Sequence, residues 1–173
     1  AATGDALRPV FSVLNPEFTY TLPPYQTSCG AVDMFAHVVE RYFTPSKNVE
    51  ISDELCEGVM RNIVEQSVKA LAEPQNYDAR ANLMWAGTVA HTNICGAGRI
   101  QDWASHGIEH ELSALYDCAH GAGLAVVMPA WMEYVMNADV PRFARFASKV
   151  FGVADGDVTA MAKEGMNDMA SMA

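Results

Sequence analysis

Apolar residues recur at intervals of three and four along most of this chain, which is the period of helices that bury one face. The clearest run predicts a helix over 28–43, ended by Pro45; its apolar positions are Ala31, Val32, Phe35, Ala36 and Val39. Ser52 is predicted to be the N-cap of a second helix that ends near Ala72, because two acidic residues follow it. Further helices are predicted over 77–95, 102–115, 124–136, 141–151 and 157–173.

The first 24 residues have a different pattern. Val10–Leu14 is a short apolar run that predicts a strand, closed by the turn signal Asn15-Pro16. Residues 19–24 are predicted to form a loop, because Pro23-Pro24 cannot lie inside a helix. The predicted fold class is all-α: a helical domain over 25–173, preceded by one short N-terminal strand and a loop within 1–24.

Length and composition favour a single domain. The chain has 173 residues, and 50% of them are hydrophobic, which is enough to bury a core. No apolar run reaches the roughly 20 residues of a membrane span, and no targeting segment opens the chain, so we expect a soluble, cytoplasmic protein. The four cysteines are spaced singly and are expected to be reduced and packed.

Charge and glycine spacing narrow the range of partners. The net charge is −10, and no segment interleaves basic with aromatic residues, so nucleic acid is not an expected partner. No G-x-G-x-x-G motif follows a predicted strand, and Gly96-Ala-Gly98 follows a predicted helix instead. The chain alone is therefore not expected to bind a dinucleotide.

Four of the five histidines lie in two segments that also carry acidic residues. Asp33 and His37 are four residues apart on a predicted helix, so a carboxylate and an imidazole lie on the same face. His106 and His110 have the same spacing, and His120 follows them. One carboxylate and three neutral imidazoles, with a position left open, suit a divalent cation that polarises a substrate oxygen.

The aspartate and the histidines are also compatible with roles outside such a metal site. A buried arginine could compensate the charge of Asp33 in place of a metal. His91, alone on an apolar helix, is predicted to be a packing residue or to support the site indirectly. The residues after His110 do not complete H-E-x-x-H, which argues against a zincin protease. A metal-dependent hydrolase with Glu109 or Glu111 as its base is not excluded.

The sequence becomes recognisable from two segments, NPEFTYTLPPYQTSCGAVDMFAHVVERY and DWASHGIEHELSALYDCAHGAGLAVVMPAW. Together they resemble the iron-containing (group III) alcohol dehydrogenases, and within them the NADPH-preferring butanol dehydrogenase and aldehyde reductase branch. The resemblance extends over about residues 7–152, and the spacings between the aspartate and the histidines agree with that family.

The resemblance implies a metal site and a nicotinamide cofactor. In that family the metal ligands are an aspartate, a histidine four residues later and two histidines fourteen residues apart, which here are Asp33, His37, His106 and His120. The implied ion is Fe²⁺ or Zn²⁺. His110 is implied to be the catalytic residue beside the nicotinamide of NADP(H) or NAD(H), where it orients the substrate or relays a proton. Phe18 and Leu22 are implied to contact the nucleotide.

The implied fold is the C-terminal metal-binding domain of an enzyme resembling dehydroquinate synthase. By the same resemblance, we expect that the N-terminal nucleotide-binding domain is absent from this chain and that its C-terminal end is truncated. The implied function is an NAD(P)H-dependent alcohol dehydrogenase or aldehyde reductase, with the metal polarising the substrate oxygen during hydride transfer.

The implied substrates are small alcohols or aldehydes, with Phe35, Ile94 and Trp103 as candidate apolar lining. The alternative is a catalytically inactive metal-binding fragment, or one half of a split enzyme. A lone half exposes an apolar face, so we expect a homodimer or association with a nucleotide-binding half, and no membrane partner.

Overall fold

The computed structural model describes residues 4–172, and that part of the chain is built from helices and contains no strand. The main helices are α1 Pro24–Tyr42, α2 Glu50–Ala72, α3 Tyr77–His91, α4 Ala104–Tyr116, α5 His120–Val135, α6 Val140–Phe146 and α7 Val158–Met172. A π-helical turn, Ala147–Phe151, extends α6. Among the described helices, none combines the length and the apolar character needed to cross a bilayer.

Helix α1 lies at the centre of the bundle and contacts α2, α3, α4 and α5. Its apolar face is fully buried at Phe35, Ala36 and Val39, as the three-four spacing predicts. Phe35 packs edge-on against Phe146, with ring centroids 6.3 Å apart. The all-α prediction is confirmed, and α1 connects the core to the face that carries the histidines.

Several helix ends differ from the predicted ones. Helix α1 begins at Pro24, because proline is tolerated in a first turn whose N–H groups have no intrahelical partner. Helix α2 begins at Glu50, so the prediction of Ser52 as N-cap is wrong; its hydroxyl donates to the Ala97 carbonyl at 3.1 Å. Helix α3 ends at His91, since the backbone of Thr92 is extended.

The predicted strand over Val10–Leu14 is wrong. The segment lies outside any helix or strand, and its side chains are exposed, with Val10 fully accessible and Phe11 78% accessible. A strand needs a partner to satisfy its backbone N–H and C=O groups, and the described residues provide none. The apolar side chains of this run alone therefore do not make it a strand.

The carboxyl end of α1 is held by arginines from distant elements. Arg142 donates from Nε to the Tyr42 carbonyl at 2.8 Å, and Arg99 donates to the Arg41 carbonyl at 3.0 Å. Cations at this end of a helix interact favourably with its dipole. Asp53 lies between the two guanidinium groups, 2.9 Å from Arg99. Burial raises the pKa of Asp53, but the hydrogen bonds from the arginines outweigh it and hold the pKa below its usual range.

Candidate metal centre

Helix α1 presents Asp33 and His37 one turn apart, as their spacing predicts. Nε2 of His37 lies 3.7 Å from Oδ1 of Asp33, and both side chains are partly accessible. The opposite face of the same turns is buried in the core through Phe35 and Ala36. The packing of α1 therefore turns the carboxylate and the imidazole outward together.

Two further imidazoles reach the same carboxylate oxygen from other helices. His106, in the first turn of α4, places Nε2 3.5 Å from Oδ1 of Asp33. His120, the first residue of α5, places Nε2 3.4 Å from the same atom. Three imidazole nitrogens thus surround one carboxylate oxygen at 3.4–3.7 Å.

These atoms fit a divalent cation. Oδ1 of Asp33 and Nε2 of His106 are buried and have no hydrogen-bond partner. Buried polar atoms without partners are costly, so such a pair indicates an additional group between them. Ligands about 2.1 Å from a tetrahedral ion are about 3.4 Å from one another, which is close to the three distances measured from Oδ1 of Asp33. The donor set of one carboxylate and three imidazoles suits zinc or ferrous iron.

A buried arginine does not compensate Asp33 in the described chain. The ion-pair partners of Asp33 there are the imidazoles of His37, His91, His106 and His120. Burial raises the pKa of Asp33, but the neighbouring His106 and His91 outweigh it and hold the pKa well below its usual range. Asp33 is therefore a carboxylate at neutral pH, the form that binds cations.

The imidazoles respond differently to their surroundings. Burial, and then the charge of His91, lower the pKa of His37 to about 3. Burial also lowers the pKa of His106, but Asp33 and Glu40 outweigh it and raise the pKa to about 9. The hydrogen bond to Asp33 raises the pKa of His91. Within this one cluster, the surroundings disfavour protonation of His37 and favour protonation of His91 and His106.

Two fully buried glutamates contact the outer nitrogens of two of these imidazoles. Oε2 of Glu40 on α1 binds Nδ1 of His106, and Oε2 of Glu109 on α4 binds Nδ1 of His120. Sequence reasoning did not single out Glu40. The signal available was its position seven residues after Asp33, which is two helical turns along the same face. Glu109 was considered only as a hydrolase base.

Glu109 is not free to act as a base. It accepts hydrogen bonds from His120 and from the Ser113 hydroxyl, and its side chain is fully buried. Glu111 is exposed on α4 and is not among the carboxylates and histidines of the described chain that lie close enough together to bind a metal ion. The geometry thus gives no support to the metal-dependent hydrolase.

His91 lies nearer the centre than its isolated place in the sequence suggested. Its Nε2 is 3.3 Å from Oδ2 of Asp33, and its ring centroid is 4.2 Å from that of His37. Nδ1 of His91 lies 2.8 Å from the Gly87 carbonyl, which fixes the ring. The residue borders the site through the second carboxylate oxygen of Asp33.

The remaining predicted residues are distributed around the centre. The ring of His110 lies 5.2 Å from that of His120 and 6.1 Å from that of His106. The Trp103 ring lies 5.3 Å from both His37 and His106, so it covers one side of the cluster. Phe35 is fully buried in the core, and its suggested role as pocket lining is wrong.

The two predicted nucleotide contacts lie before α1, Phe18 in the 3₁₀ helix Pro16–Thr19 and Leu22 in the loop that follows it. Phe18 is 80% accessible and Leu22 is 42% accessible. Leu22 borders a cavity of about 210 Å³ between this loop, α1 and α3, whose lining includes Met34 and Gly87. These two contacts stay predictions. Ile94 is about half exposed in the turn after α3.

The fold and the site define a class of protein: an all-helical domain in which three helices converge on one carboxylate and three imidazoles. Residues 27–172 match the model of the Fe-containing alcohol dehydrogenase family, C-terminal. The chain belongs to this family. The resemblance inferred from the two sequence segments is confirmed.

The relatives agree in sequence and in fold. The chain is 43% identical over 150 residues to the NADPH-dependent aldehyde reductase YqhD of Escherichia coli, covering 87% of the chain and 39% of that protein. It is 41% identical over 148 residues to NADH-dependent butanol dehydrogenase B of Clostridium acetobutylicum, covering 85% of the chain and 38% of the relative.

Solved structures superpose on most of the chain. The cofactor-free aldehyde reductase YqhD of E. coli has a TM-score of 0.92 and 39% identity, over 95% of this chain and 43% of that one. NADH-dependent butanol dehydrogenase A of Thermotoga maritima has a TM-score of 0.92 and 43% identity, over 98% and 42%. The chain thus spans about two fifths of the length of the relatives that it matches.

Proposed function

We propose that this chain carries the metal centre of an NAD(P)H-dependent alcohol dehydrogenase or aldehyde reductase acting on small alcohols or aldehydes. The proposed ligands are Asp33, His37, His106 and His120, and the proposed ion is Fe²⁺ or Zn²⁺. The observation that carries the proposal is the convergence of three imidazole Nε2 atoms within 3.4–3.7 Å of one buried oxygen that has no hydrogen-bond partner.

The residues around the centre supply what such a reaction needs. When bound, the cation acts as a Lewis acid toward the substrate oxygen. The carboxylate of Asp33 balances part of its charge, and Trp103 shields His37 and His106 from water on one side. Shielding strengthens electrostatic interactions, because it lowers the local dielectric constant.

His110 is the proposed proton-handling residue. It is exposed and lies beside His120, and a neutral imidazole has one nitrogen that donates and one that accepts, so it can hold or pass a proton at the substrate oxygen. The nicotinamide cofactor, NADP(H) or NAD(H), supplies the reducing equivalents in this proposal. The names of the relatives that specify NADPH and NADH support this class of cofactor.

The metal part of the proposal is tested by stoichiometry. The metal-free chain is loaded anaerobically with Fe²⁺ or Zn²⁺, desalted, and assayed for bound metal beside Asp33→Ala and the exposed control Asp155→Ala. We expect about one ion per chain for the wild type and the control, and none for Asp33→Ala, because the central ligand is lost. Equal metal contents in all three would refute the ligand assignment.

The enzymatic part is tested by butanal-dependent oxidation of NADPH. Activity of the loaded wild type that is lost in Asp33→Ala supports catalysis by this chain itself. Bound metal without activity favours the alternative, a metal-binding chain that needs a nucleotide-binding half. Light scattering, with and without such a half, tests the predicted homodimer or association. The cytoplasmic location also stays a prediction.

A further inference from the structure

Each of the two buried glutamates beside the proposed metal centre contacts Nδ1 of a proposed ligand histidine. We propose that Glu40 and Glu109 are positioning residues, which direct Nε2 of His106 and of His120 to the metal and strengthen its binding. This inference rests on the proposed function, because it presupposes that the centre binds a divalent ion.

Glu40 reaches from α1 to the first turn of α4. Its Oε1 accepts hydrogen bonds from the backbone N–H of Ser105 at 2.7 Å and of His106 at 3.2 Å, and its Oε2 faces Nδ1 of His106. An ionised carboxylate only accepts hydrogen bonds, so the proton of a neutral His106 resides on Nδ1. The lone pair on Nε2 is then directed toward Asp33.

Glu109 repeats the arrangement from α4 to α5. Its Oε2 faces Nδ1 of His120, and its Oε1 accepts the Ser113 hydroxyl. Gly123 makes this approach feasible, since a Cβ at that position would lie 2.4 Å from Oε1 of Glu109. Each glutamate thus connects its own helix to a proposed ligand histidine on another helix.

Among the described residues, no carboxylate contacts Nδ1 of the third proposed ligand histidine, His37. Nδ1 of His37 lies 3.4 Å from Nη1 of Arg41, whose hydrogens are directed at the carbonyls of His37 and Ala90 at 2.7 and 2.9 Å. The carboxylate pairs are therefore specific to His106 and His120. Carboxylate partners of ligand histidines make the imidazole a stronger base and restrict its rotation.

Substitution by glutamine preserves the size of both side chains but not their bonding. In Glu40→Gln, an NH₂ group replaces one of the two oxygens. It faces either Nδ1–H of His106 or the backbone N–H groups of Ser105 and His106, so in both arrangements two hydrogen-bond donors face each other without an acceptor. In Glu109→Gln, the NH₂ can face Ser113, whose hydroxyl can turn to donate to the Cys118 carbonyl, 3.1 Å away. The loss should therefore be larger for Glu40→Gln.

Zinc affinity of the full chain, measured by competition with a chromophoric chelator, tests the proposal. Removal of such a partner typically weakens metal binding by about 10–100-fold, so we expect a loss of about 100-fold for Glu40→Gln and about 10-fold for Glu109→Gln. The matched control is Glu57→Gln, an equally buried glutamate that binds Tyr42 and Arg145 and no histidine. Its zinc affinity should equal that of the wild type.

A second measurement separates positioning from general damage to the fold. ¹⁵N NMR of the zinc-loaded chain should show Nδ1–H on His106 and His120 in the wild type, and a change confined to His106 in Glu40→Gln. Unchanged affinity in both variants, or coordination of wild-type His106 through Nδ1, would overturn this inference but not the proposed function. A wild-type chain that binds no zinc would overturn both.

Discussion

The contact between α5 and α1 at Gly121 is predicted to control both stability and the metal site. A Cβ atom at this position would lie 2.1 Å from the carbonyl oxygen of Cys29 and 2.6 Å from its carbonyl carbon. Cβ atoms essentially never approach other atoms closer than 3.0 Å, so Gly121→Ala requires α5 to move by about 1 Å. The obstructing atoms are backbone atoms of α1, which cannot rotate away.

The size of the effect follows from this displacement. Overpacking of a buried contact typically costs about 1–3 kcal/mol, which corresponds to a decrease in Tm of several degrees for a domain of this length. His120 is the adjacent residue, and its Nε2 lies 3.4 Å from Oδ1 of Asp33. Metal sites tolerate errors of only about 0.2 Å in ligand distances, so zinc affinity should also decrease strongly.

The assay combines urea unfolding of the metal-free chain with zinc titration. Gly30→Ala is the matched control, because it lies on α1 next to Cys29 and nothing is within 4 Å of its added Cβ. This control should gain about 0.5–1 kcal/mol from helix propensity and bind zinc normally. If Gly121→Ala unfolds at the same urea concentration as the wild type and binds zinc equally well, the argument from close helix contact is refuted.

Two further predictions concern the polar network outside the metal centre. The pKa of Asp53 is depressed in the folded state, so its stabilising contribution is present above the unfolded value of about 4 and is lost as the pH falls through the lower folded value. Asp53→Asn should therefore be less stable than the wild type at pH 7 and lose less stability as the pH falls below about 4, measured by urea unfolding; an unchanged pH profile would contradict this. Tyr42→Phe removes a buried hydrogen bond of 2.8 Å to Glu57, which keeps Arg145 as a partner. We expect a cost of roughly 1–2 kcal/mol by thermal denaturation, and no cost would show that this bond contributes nothing net.

Local rules account for the part of the fold that could be predicted from the sequence. The three-four spacing of Val32, Phe35 and Val39 determines which face of α1 is buried, because helical geometry is set within a few residues. The apolar run Val10–Leu14 did not form the predicted strand, since strand formation depends on a partner that the apolar pattern cannot reveal. The N-cap signal at Ser52 misplaced the start of α2, because the Ser52 hydroxyl instead donates to the carbonyl of Ala97, 45 positions away.

The same division applies to the candidate metal centre. The i,i+4 spacing of Asp33 and His37 placed them on one helix face from sequence alone, and family resemblance named His106 and His120 as their partners. Only the tertiary structure shows their Nε2 atoms around one oxygen of Asp33, because α4 and α5 must first dock on α1.

The sequence also did not predict the carboxylate partners of His106 and His120. The backbone N–H of His106 donates to Glu40 across 66 positions. The position of Glu40 two turns after Asp33 shows only that both carboxylates lie on one helix face, not which histidine Glu40 meets. His91 likewise reaches Asp33 across 58 positions. Local spacing determined which side chains face the same way, whereas the packing of helices determined which of them meet, since contacts between helices depend on the whole set of buried faces.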